Sequence, residues 1–197
     1  IMGTYTPAEV SVDVTGEKKE LLTVLQDQRN MLKITARGLS DADARKQTTV
    51  STLTIGALIK HLAHGEENAA RIITERDENA EFDMSQAMTE YVMSDDETIA
   101  GWLAEYDRAA LELDRVIADA ENLDELIPQP TAPWAPEREW SSIRTMIIHL
   151  IRETAHHCGH ADIIREALDR QTTMGAVSEG QDWAEGEWVT NAEGEQV

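Results

Sequence analysis

His149-Leu150-Ile151-Arg152-Glu153-Thr154-Ala155-His156-His157-Cys158-Gly159-His160 decides how the rest of the chain is read. It lies within Ser141 to Arg170, where Ile143, Ile147, Leu150, Glu153, His157, His160, Ala161, Ile164 and Leu168 recur mostly at three- and four-residue steps. That spacing predicts one long amphipathic helix with polar groups set into the stripe that should be buried. A bare carboxylate on such a face costs several kcal/mol. Glu153 must therefore be paired, protonated or bound to a cation.

Upstream, three further helices are expected. The first runs from about Glu17 to Arg37 on a stripe of leucines and stops at Gly38. Ser40-Asp41-Ala42-Asp43 opens a short helical turn in capping-box fashion. Thr54 is the N-cap of a second long helix reaching Glu75, in which Gly65 hints at the close approach of another group. After an acidic connection over 76–93, Ser94-Asp95-Asp96-Glu97 reads as the capping box of a third helix ending near Asn122. A proline-rich loop holding Trp134 then leads to Trp140 and to Ser141, the N-cap candidate for the helix quoted first. The loop packs over one end of the helices or forms a pocket wall there. No convincing strand is seen. Two connections of roughly 20 residues among four long helices suggest a four-helix bundle with crossovers.

All six histidines fall on two segments: His61 and His64 on the second long helix, the rest on the fourth. Glu153 and His157 stand four apart, so both reach one point from the same helix face. His61 is the best candidate for a third ligand from a facing helix. Two imidazoles and a carboxylate leave a coordination position open, the pattern of a catalytic zinc site, although Ni2+, Fe2+ or Mn2+ accept the same donors. His64 and His160 are candidate proton carriers. Arg165, one turn beyond, is a weaker candidate for holding an acidic ligand. His149 and His156 lie off the stripe, and Cys158 beside it reads as a packing residue.

Composition narrows the function classes. A chain of 197 residues with 41% hydrophobic content can bury one core. Its net charge of −21, from 38 acidic and 17 basic residues, argues against nucleic-acid or anionic-membrane partners. No apolar run approaches the roughly 20 residues of a membrane span. The lone Cys158 fits a reducing compartment, so a cytoplasmic location is expected. Residues 171–197, with Trp183 and Trp188, are expected to form a poorly structured acidic tail, docked at most through the two tryptophans.

Two stretches together, His61-Leu62-Ala63-His64-x-Glu66 and His149-x-x-x-Glu153-Thr-Ala-x-His157-x-Gly159-His160-Ala161-Asp162-Ile163-x-Arg165-Glu166, resemble the DinB-like superfamily. Within it the match is to the branch of mycothiol-dependent S-transferases and the bundle domain of mycothiol-dependent maleylpyruvate isomerase. The resemblance spans roughly Glu17 to Arg170. It implies an all-α DinB-like four-helix bundle with long crossover connections over residues 1–170. It also implies a divalent metal, usually zinc, on His61, Glu153 and His157, and mycothiol as co-substrate. The isomerase's additional C-terminal domain has no counterpart here, so transferase chemistry is expected. Where many relatives carry bulky aromatics, this chain has Asn68-Ala69-Ala70-Arg71-Ile72, so a differently shaped pocket is expected.

The leading expectation is thus a metal-dependent transferase joining a small-molecule thiol to an electrophile. A metal-dependent hydrolase on the same site is one rival. A non-enzymatic metal-binding or dimerisation bundle with a role in stress, homodimeric through one helix face, is the other.

Overall fold

The computed structural model describes residues 8–178, so Trp183 and Trp188 lie outside the described residues. The chain is mostly helical. Four long helices, α1 (Gly16–Thr35), α3 (Ile55–Glu75), α5 (Ile99–Asp119) and α6 (Ile143–Asp169), carry the core. Three short ones, α2 (Asp41–Ala44), α4 (Met84–Thr89) and α7 (Thr173–Ser178), and two strands, β1 (Leu126–Pro128) and β2 (Trp140–Ser142), fill the links.

Local chemistry sets most boundaries. Ser40 Oγ accepts the Asp43 amide and Thr54 Oγ1 accepts the Ala57 amide, as their positions in the sequence predict. Two starts differ from expectation. Thr98, not Ser94, caps α5, accepting from the Gly101 amide at 3.0 Å. Ser94 does bond Glu97, through its amide at 2.7 Å, but that box closes a turn instead of a helix. Arg45 and Lys60 hold this turn, so the helix starts later. Ser142, not Ser141, caps α6. Ser141 is taken by an antiparallel pairing that the sequence does not signal, in which Leu126, Ile127 and Pro128 face Ser142, Ser141 and Trp140. The ladder is too short for a period-2 pattern to register. At the far end, α1 stops at Thr35, two residues earlier than expected. Arg165 donates to the Thr35 and Arg37 carbonyls, and Gly38 turns the chain at φ +74°.

α1 packs mainly on α6, and α3 on α5 and α6, whereas α1 meets α5 only lightly. Helices consecutive in the chain, α1 then α3 and α5 then α6, are therefore not the main neighbours. The interior divides into two apolar clusters. One gathers Leu22, Leu25, Ile73, Leu113, Ile143 and Leu150. The other gathers Leu32, Leu58, Leu62, Tyr106, Ala161 and Ile164.

Between the clusters runs a polar layer. Arg29 lies between Leu25 and Leu32, Glu66 between Leu62 and Ala69, and Thr154 and His157 between Leu150 and Ala161. Arg29 is fully buried and grips Glu66 with two nitrogens, at 2.9 and 2.8 Å. It also meets Asp114 at 3.0 Å. Burial works against the Arg29 charge, but Glu66 and Asp114 outweigh it and hold the pKa above its usual value. Burial raises the Glu66 carboxyl despite Arg29. The Tyr106 hydroxyl is buried near Glu66 and Thr154 and, among the described residues, has no partner in hydrogen-bond geometry.

Candidate metal centre

Helical periodicity brings Glu153 and His157 to one face of α6, and packing of α3 on α6 brings His61 to meet them. One ligand atom from each residue lies within 4.8 Å of the other two. His157 Nε2 is 3.8 Å from Glu153 Oε2, and the His61 and His157 rings meet edge-on at 5.0 Å between centroids. Three lone-pair donors thus converge from two helices, and the trio could hold a metal ion.

The protonation states favour that use. Burial, then the neighbouring His61 and His160, push the His157 pKa down to about 4, so the ring is neutral at neutral pH. Burial alone would raise the Glu153 carboxyl, but the Arg152 hydrogen bond at 2.8 Å, helped by His149, brings it below its usual range. Glu153 is therefore ionised. His61 Nδ1 is buried without a hydrogen-bond partner among the described residues, although Glu90 Oε1 lies 3.2 Å away outside hydrogen-bond geometry. A charged acceptor beside an imidazole N–H orients the ring and makes its other nitrogen a better donor to a metal. With the ring proton on Nδ1, Nε2 accepts from the Tyr91 hydroxyl at 3.0 Å.

The remaining sequence candidates take different places. His160 joins the centre from behind, with its Nδ1 3.2 Å from His157 Nδ1. With the His157 proton on that nitrogen, His160 accepts it and the Nε2 lone pair faces the trio. His64 is turned to α5, where its ring meets Trp102 edge-on at 5.1 Å, and burial and Lys60 lower its pKa. Arg165 is buried, and its guanidinium is committed to the end of α1, Asp169 and Gln171. His156 meets His160 edge-on at 4.6 Å at the surface. Cys158 donates to the Gln28 carbonyl, and burial raises its pKa to about 12, which leaves it a packing thiol.

A cavity of about 600 Å³ opens beside the trio, with His61 and Glu153 in its lining. Leu62, Ile72, Met146 and Leu150 give it apolar walls, and Trp134 with Phe82, edge-on at 5.2 Å, stands farther out. The proline-rich loop is thus part of a pocket wall. Asn68, Ala69 and Ile72 line the same space, so the stretch that departs from the relatives' aromatics borders open volume. Gly65 lines it too. A Cβ there would meet nothing within 4 Å, so the close approach its sequence position suggested is not found. Charged lining is mostly acidic, with Glu81, Asp83 and Glu139 against Arg71.

Glu90 and Tyr91 escaped sequence reasoning because they sit in an irregular segment with no period. The Arg29–Glu66–Asp114 cluster carried a signal. Arg29 stands four residues after Leu25 and three before Leu32, on the apolar stripe itself.

Fold and site together define a mostly helical protein with a His/Glu/His cluster able to take a divalent cation beside a pocket. The sequence profile of the Mycothiol-S-transferase family matches residues 20–170, and the chain belongs to that family. No curated protein matches the chain. A crystal structure described as that of a conserved protein from Enterococcus faecalis is similar, with a TM-score of 0.59 at 12% identity. The likeness covers 80% of this chain and 100% of the other, and at that identity it shows the fold alone. Among the described residues no helix is long and apolar enough to cross a membrane.

Proposed function

We propose that the protein is a metal-dependent thiol S-transferase, joining a low-molecular-weight thiol, mycothiol by family, to the carbon of a small electrophile. The observation that carries this reading is the convergence of His61, Glu153 and His157 beside a cavity, in a chain of the Mycothiol-S-transferase family. The trio fits a divalent cation, because imidazole nitrogens and an ionised carboxylate are the donors such ions take. When bound, the cation supplies a Lewis acid that lowers the pKa of a thiol near neutral pH.

The chain's own residues do the rest. Glu153 brings negative charge, fixed by Arg152. His160 holds the His157 ring from behind, and Glu90 stands beside the His61 ring. The apolar walls exclude water from the reacting sulfur. A carbon–sulfur bond forms as the leaving group departs with its electron pair, and the thiol proton passes to solvent at the cavity mouth. The acidic rim favours a neutral or cationic electrophile over an anionic one.

The test is metal content by elemental mass spectrometry on protein purified without an affinity tag, followed by electrophile consumption with and without mycothiol. The expected result is about one divalent ion per chain and turnover only with thiol, both lost in His157→Ala. A mutant that keeps its metal sinks the ligand assignment. Turnover without thiol replaces the transferase with a hydrolase on the same residues.

A further inference from the structure

Tyr91 lies in the connection between α4 and α5, yet its ring is laid on the metal centre. It stacks on His61 with centroids 4.3 Å apart and planes inclined by only 22°. Its hydroxyl is 3.0 Å from His61 Nε2, and its ring centroid is 6.4 Å from that of His157. The hydroxyl thus stands beside the nitrogen that would hold a cation. Once that lone pair is given to a cation, the hydroxyl is released to donate to another acceptor at the same place.

The next two residues, Val92 and Met93, fix the position of Tyr91. Lys60, next to His61 on α3, donates to the Val92 carbonyl at 3.0 Å and to Glu97 at 2.7 Å. Met93 is buried and pressed against Gly56, where a Cβ would come within 2.3 Å of its Sδ. A Cβ there would also come within 3.1 Å of the Ala44 carbonyl. Three consecutive residues are thus held against α3, with the Tyr91 ring over His61.

We propose that the Tyr91 hydroxyl is a catalytic hydrogen-bond donor to the sulfur of the thiol substrate, an inference that rests on the transferase reading above. An ionised sulfur beside His61 presents lone pairs to a donor held on the imidazole face. The phenolic proton stays on its own oxygen, so no bond is broken at Tyr91. The hydrogen bond favours the ionised thiol over the neutral one. Once the carbon–sulfur bond has formed, the sulfur becomes a thioether and a poor acceptor. The bond to Tyr91 is then lost, and product leaves more readily than substrate.

Cobalt(II) makes the step visible, because a sulfur ligand gives it a near-ultraviolet charge-transfer absorption. Wild type and Tyr91→Phe are each loaded with Co(II) and titrated with 2-mercaptoethanol. Co(II) affinity is measured separately by chelator competition, and the fold of the variant by far-UV circular dichroism. Phe keeps the stacking ring, so Co(II) affinity is expected within about two-fold of wild type, while thiol affinity falls roughly ten-fold or more. Equal thiol affinity in the two proteins overturns the proposal and leaves the transferase reading standing. Loss of Co(II) in Tyr91→Phe also overturns it, by making the phenol a ligand. If wild type takes up no Co(II), both readings fall together.

Discussion

Arg29, Glu66 and Asp114 occupy the same polar layer of the interior as His157, but the two clusters end differently. In the first, one guanidinium meets two carboxylates inside α1, α3 and α5, and its donors are met by acceptors at 2.8 to 3.2 Å. In the second, His61, Glu153 and His157 meet at the seam of α3 and α6 with one ligand atom of each within 4.8 Å of the other two. Both break the apolar pattern of their helices. What separates the two is composition: a cluster that holds its own cation ties helices together as a strut, whereas one made of lone-pair donors could take a cation from outside.

The contrast can be broken most forcefully at Arg29. Arg29→Met leaves Glu66 and Asp114 buried without their cation, at an expected cost of about 3–5 kcal/mol in urea unfolding. Replacing all three residues by apolar ones is expected to recover most of that loss, since desolvation roughly offsets their attraction. A single-mutant cost under about 1 kcal/mol, the range of exposed ion pairs, removes the strut from the comparison.

At the other cluster, metal affinity is expected to respond most. His157→Ala should weaken zinc binding at least 100-fold, roughly 2.7 kcal/mol, as read by chelator competition. It also bears on pH. The folded His157 pKa of about 4 lies below the ordinary 6.5, so the unfolded chain takes up a proton the folded one refuses. The metal-free protein should therefore lose stability as pH falls from 6.5 towards 4, and His157→Ala should flatten that slope. An unchanged slope shows that another group carries the acid response.

Two smaller effects sharpen the boundary. His160→Ala removes the group behind His157 and should cost about ten-fold in metal affinity with the trio intact. No change limits the centre to its three ligands. Gly65→Ala should stabilise the helix by up to about 1 kcal/mol, because no heavy atom crowds the added methyl. It should also narrow the cavity and raise KM for bulky electrophiles. A destabilised variant means that Gly65 is tightly packed after all.

Much of this was legible in the residues. Thr54, Ser40 and the stripe of α6 announced their helices because side-chain caps and 3.6-residue periods act locally. Glu153 and His157 were legible for the same reason, and their meeting with His61 followed from polar groups sharing buried faces. Ser94 misled because its box is a property of a turn, and whether a helix follows depends on Arg45 and Lys60, far away in sequence. Glu90 and Tyr91 carried no mark at all. Their placement depends on where Met93 packs, and packing between distant segments leaves no period behind.

The crossing order of the helices bears on how the protein is made. α3 carries His61, and α6, with Glu153 and His157, lies nearly half the chain later. Domains fold as their last elements leave the ribosome. A nascent chain with α3 exposed but α6 still unsynthesised presents single imidazoles, which are weak traps for free ions. On the proposed reading, tight metal capture would wait until α6 has docked, so that the cation would be chosen by a finished cavity and not by whichever ion reaches a growing chain first.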